Sequence, residues 1–96
     1  MLGEGNRRFH AEYSTEWDET VERKEYRGKR REIRKRCANI LNDPYRAHRA
    51  HPWGGEWTGY MAADLDKVHR IMYKIDELQC VVGFHTIINA HPGKPR

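Results

Sequence analysis

The stretch KVHRIMYKID, residues 67–76, decides the fold, because its apolar and polar side chains alternate with a period of two. That period belongs to a strand with one face buried, not to a helix. Ile71, Tyr73 and Ile75 fall on one face, and Val68, Arg70, Met72 and Lys74 on the other. One side is built to pack, and the other carries cations. Working outward, WTGYMAAD (57–64) reads as a preceding strand and CVVGFHTII (80–88) as a following one, separated from the middle strand by the turns LDK and ELQ. The three predict an antiparallel meander. Strict alternation puts His85 with Val81, Gly83 and Ile87, which favours a structural role for it.

Further upstream, RRFHAEY (7–13) alternates Phe9, Ala11 and Tyr13 against Arg8, His10 and Glu12, the pattern of a half-buried strand. Thr15, with Asp18 three positions on, forms a variant capping box that starts a helix. Trp17 and Val21 share a helical face, and after a break near Gly28 the series Ile33, Cys37, Ile40, Leu41 resumes that spacing. Two helices, 16–26 and 29–42, are predicted as a hairpin, closed by Pro44 in NDP. Residues 44–55 are then a loop. The fold class is α+β: an N-terminal strand, a two-helix hairpin and a three-stranded antiparallel meander, with the helices packed on one sheet face.

Ninety-six residues are read as one domain spanning 1–96, with 1–6 and 92–96 as flexible ends. Three Trp, five Tyr and two Phe supply a small core despite 33% charged residues, which excludes disorder throughout. No stretch approaches the roughly 20 apolar residues of a membrane span, and MLGEGNRRF lacks the apolar run of a signal peptide, so a cytosolic chain is expected. Cys37 and Cys80 match no metal or redox spacing and are expected as buried thiols. The net charge of +4 is unevenly spread: RKEYRGKRREIRKR (23–36) holds nine basic residues against two acidic ones. Such a block suits a polyanion or an acidic protein.

RAHRAHPWGGEWTGY (46–60) concentrates candidate chemistry, with two histidines three apart, two arginines and two tryptophans. A zinc site would take His48 and His51 with help from His69, His85 or Cys80. No second close pair supports that set, so neither a metal nor a small-molecule cofactor is expected.

In order and spacing, these pieces resemble the RelE/ParE superfamily of bacterial toxins. They are the Ser/Thr-x-x-Trp helix start, the basic hairpin finishing ILNDP, the GEWTGYMA stretch, HRIMYKID, and a last strand running to His91. The likeness covers about Arg7 to His91 and looks nearest to the YoeB and YafQ branches. It implies a type II toxin that cuts messenger RNA on the 70S ribosome without a metal and is restrained by a cognate antitoxin. ParE-like members instead poison DNA gyrase, and an inactive RNA-binding relative is a third alternative.

The resemblance also implies roles. Arg70 falls on the motif arginine and becomes the phosphate clamp, exposed on the concave sheet face, since a guanidinium donates to two non-bridging oxygens at once. His51 falls on the loop position of the base. His91 stands where the acid is often found, although PGKPR follows in place of the usual aromatic residue, so His85 remains the other candidate. Histidine suits both tasks, because its ordinary pKa lies near 6.5. Arg46, His48, Arg49, Lys67 and Lys74 are expected to hold RNA phosphates, and Trp53 to stack on a base.

Overall fold

The computed structural model describes residues 8–90. His91 and the expectations for residues 1–6 and 92–96 lie outside the described residues. Strand β1 (His10–Tyr13) leads into helix α1 (Thr15–Val21), then a short α2 (Lys24–Arg27) and a longer α3 (Arg30–Asn42). The cap of α1 is Ser14, not Thr15: its hydroxyl accepts the Trp17 amide at 3.0 Å. Glu16 and Asp18 in the first turn complement the positive end of the helix. The first predicted helix is broken at Glu22–Arg23, six residues before Gly28, and the second starts one residue later than expected.

Helix α3 buries Ile33, Cys37, Ile40 and Leu41, the stripe read from the sequence. Burial pushes the Cys37 thiol up to about 12, so it stays protonated and unreactive at neutral pH. Cys80 is only half-buried, at the left-handed position opening the last strand.

The sheet has five strands in the order β1-β5-β4-β3-β2. Strands β3 (Met61–Asp64), β4 (His69–Asp76) and β5 (Val81–Asn89) form the antiparallel meander. β1 is parallel to β5, so the sheet is mixed. The predicted 44–55 loop is not all loop: His51–Pro52 forms a fifth strand, β2, against Ala62 and Met61. Conversely, residues 57–60 are not strand. A 3-10 turn at Gly55–Trp57 and a left-handed Gly59 (φ 94°) delay β3 to Met61.

Register fixes the two faces. Ile71 pairs with Ile87 and Ala63, and Tyr73 with Phe84 and Met61; these residues pack with Trp17, Ile33, Cys37 and Ile40 under the helices. A fully buried aliphatic or aromatic side chain here contributes roughly 1.5–3 kcal/mol. Tyr73 also donates its buried hydroxyl to the Pro44 carbonyl at 2.7 Å, tying β4 to the end of the helical region. Pairing slips between Met72/Tyr73 and Thr86/Phe84, leaving His85 as the extra residue of a β-bulge. The strict alternation expected for β5 therefore fails at His85, which no longer shares a face with Ile87.

Candidate functional site

The helices cover one face of the sheet, and along the other run Tyr60, Ala62 and Asp64, beside Lys74, Met72 and Arg70. Across this open face the sequence-predicted residues fall into three groups.

The first surrounds His85. Its ring lies 5.3 Å from Tyr60 and 5.9 Å from Trp57, centroid to centroid, and those two rings meet edge to face at 5.1 Å. Lys74 Nζ sits 4.6 Å over the Tyr60 ring, a cation held against an aromatic face. His85 Nε2 is 3.4 Å from Glu16 Oε1, and Ser14 donates its hydroxyl to the His85 carbonyl at 2.9 Å. The start of α1 thus holds the bulge through both backbone and side chain. The imidazole remains 30% exposed.

The second group is His51 with Trp53. The Trp53 indole can only donate, and it donates to His51 Nε2 at 2.8 Å; Nδ1 therefore carries the ring proton and gives it to the Arg49 carbonyl at 3.0 Å. His51 is exposed and held in one tautomer, with its Nε2 lone pair covered by Trp53. A proton-accepting role requires the indole to yield that position.

The third group surrounds Arg70. This arginine is not exposed as expected: its side chain is 16% accessible, with Nε 3.1 Å from Asp64 Oδ1 and Nη1 donating to the carbonyls of Asp66 and His69. Arg49, beyond it, places Nε 3.6 Å from Asp64 Oδ2. A cleft of about 450 Å³ opens here, lined by Arg36, Arg49, Asp64, Asp66, Lys67 and Arg70.

His48 turns away from the open face. Arg36 donates to its Nδ1 at 2.6 Å, and Nε2 faces the Asn39 amide at 2.9 Å, so both ring nitrogens are engaged with α3. Burial and the Arg36 charge hold its pKa below the usual histidine range. It sits at a left-handed turn (φ 54°), where Arg36 and Asn39 occupy the ring nitrogens that a phosphate contact would use. Arg46 is exposed just before this turn. Among the described residues no three His, Cys, Asp or Glu stand close enough to hold a metal ion.

No hydrogen bond, ion pair or ring contact joins His51, His85 and Arg70 to one another. Register places His51 beside Ala62, so its Cα lies roughly 12 Å from that of Arg70, two strands across and two residues along. The three share a face but not a contact.

Several solved structures similar to this chain are bacterial toxins or their complexes with antitoxins. The toxin–antitoxin complex RelBE2 from Mycobacterium tuberculosis matches with a TM-score of 0.71 at 16% identity, over 86% of this chain and 99% of that one. YafQ from E. coli matches with 0.69 at 20%, over 84% and 92%. A YoeB/ParE toxin from Agrobacterium tumefaciens matches with 0.71 at 14%, over 84% and 98%. The chain has the RelE-like toxin fold. No family model and no curated protein matches the sequence.

Within this RelE-like fold, three site residues escaped the sequence reading. In the sequence Glu16 reads only as part of a helix start, and Tyr60 and Asp64 only as parts of a strand. The turn between β3 and β4 spans 65–68, longer than the LDK turn read from the sequence, and so sets Asp64 opposite Arg70.

Proposed function

We propose that the protein is the toxin of a type II toxin–antitoxin system, a metal-independent endoribonuclease that cuts messenger RNA in the cytoplasm, on the 70S ribosome. The observation that carries this reading is one sheet face of a RelE-like fold on which, around the buried Ala62 and Met72, an exposed His51 and a partly accessible His85 accompany Lys74 and Arg70. A solvated structural surface has no need of two imidazoles set beside aromatic rings.

In the proposed reaction His51 takes the proton of the ribose 2′-hydroxyl once Trp53 yields Nε2. The 2′-oxygen bonds to phosphorus as the bond to the 5′-oxygen breaks, and His85 or His91 gives that oxygen its proton. Each such proton transfer contributes about 10²- to 10⁴-fold. Arg70 donates to the phosphorane oxygens, where charge grows most during the reaction. Arg46, Arg49, Lys67 and Lys74 hold flanking phosphates, which makes binding fall steeply with salt, and Trp53 stacks on a base. The basic face of α2 and α3 receives an acidic segment of a cognate antitoxin that folds on binding.

The test is expression in a bacterial host with messages mapped by sequencing. Growth arrest with messages cut within codons supports the reading. Arrest with damaged DNA and intact messages identifies a gyrase poison instead.

A further inference from the structure

The cleft at the β3–β4 turn sets four cations around two carboxylates. Arg36, Arg49, Lys67 and Arg70 line it, from α3, the connector before β2, the turn and β4 respectively. Its two carboxylates differ sharply. Asp66 is fully committed, accepting from the Lys29 ammonium, the Val68 and His69 amides and the His69 ring. Asp64 serves only the arginines, with one oxygen toward Arg70 Nε and the other toward Arg49 Nε. That arrangement, two oxygens on one centre each facing a different guanidinium, is also how a phosphodiester presents its non-bridging oxygens.

We propose that this cleft is a phosphate-binding site which Asp64 fills in the resting protein, and that a phosphodiester of single-stranded RNA takes the place of the carboxylate. The proposal rests on the nuclease reading above, gathers the phosphate roles given there to Arg49, Lys67 and Arg70 into one cleft, and adds Asp64 as a competitor. The two halves of the cleft suit an exchange. Arg49 is 87% exposed and only loosely paired, so it moves with its ligand at little cost. Arg70 is anchored by the Asp66 and His69 carbonyls as well, so it keeps its place when Asp64 swings out. Exposed Lys67 then faces the incoming anion, while Arg36 stays paired with Glu32 and His48 at the wall of the cleft. About 450 Å³ accommodates a phosphate with its sugar. Because Asp64 carries one negative charge, it competes well with a phosphodiester and poorly with the doubly charged phosphorane, so the exchange favours the transition state over resting RNA.

The experiment measures binding of a short, 2′-O-methylated and therefore uncleavable single-stranded RNA to the whole protein by fluorescence anisotropy. Asp64→Asn keeps the side-chain shape and removes the charge. It is expected to bind RNA at least about fivefold more tightly than wild type, with a salt slope steeper by roughly 0.7 as a further cation meets phosphate. Adding Lys67→Gln should reverse much of the gain. Equal or weaker binding by a folded Asp64→Asn protein overturns the proposal. If that variant does not fold, Arg49→Gln replaces it: severalfold weaker binding is expected, and unchanged binding overturns the proposal. Binding of inorganic phosphate to the protein, measured by calorimetry, with no binding of RNA overturns the RNA assignment. Wild-type protein that never cuts RNA, while Asp64→Asn still binds it more tightly, sinks the nuclease reading and leaves the site standing.

Discussion

The two faces of β4 present opposite solutions to the same backbone. On the helix side Ile71 and Tyr73 are sealed, and even the polar atoms there are paired, Tyr73 with Pro44 and Thr20 with Thr86. On the open side Arg70 and Lys74 meet acids and rings through contacts that solvent reaches. A sealed face converts its contacts into stability, because nothing replaces them when they are lost. An accessible face can exchange its contacts for those of a ligand. The difference teaches that stability and activity should separate cleanly by face, and substitutions can break that expectation.

Phe84 offers the largest effect. It packs against Tyr13, Trp17 and Tyr73 and is 1% exposed, so Phe84→Ala should cost about 3–5 kcal/mol by urea denaturation. A cost below about 1 kcal/mol would mean that this side is not the core. Next comes Thr86→Val, nearly isosteric, which strips the buried Thr20 hydroxyl of its partner and should cost about 1–3 kcal/mol.

Asp66 sharpens the comparison through pH. Partial burial opposes its charge, yet the Val68 amide, the Lys29 ammonium and the His69 amide and ring hold the carboxyl well below the usual carboxylate range. Its folded value lies below the unfolded one, so its contribution is complete above about pH 4 and is lost as pH falls through the depressed folded value. Asp66→Asn should lower stability at pH 7 and flatten the acid limb of a stability–pH curve; an unchanged limb would show that the network contributes nothing. Smallest in stability is Lys74→Ala, expected within about 0.5 kcal/mol of wild type. Its effect should appear instead as a salt slope for RNA binding shallower by roughly 0.7.

The sealed face was largely legible in the sequence, since burial imposes a period. The α3 stripe, the β4 alternation and the meander all follow from it. The errors fall where period gives no signal. His51–Pro52 is too short to alternate, and the break at Glu22–Arg23 carries neither Gly nor Pro. The bulge at His85 interrupts a run that reads as continuous strand, and it puts Ile87 on the opposite face from that histidine. Open-face residues could be named but not positioned. Charge and residue type single out His51 and Arg70, but only register and hydrogen bonding show that Trp53 covers one and Asp64 holds the other. His48 and His51 look alike in RAHRAH; a left-handed backbone sends the first toward α3.

The most direct measurement follows RNA cleavage and thermal unfolding side by side for wild type and His51→Ala. Exposed and outside the core, His51 should leave the melting temperature within about 2 °C of wild type. Its loss should slow cleavage by about 10²-fold or more. Cleavage at the wild-type rate by the folded variant would contradict the account, as would a wild-type protein that cuts no RNA with ribosomes present.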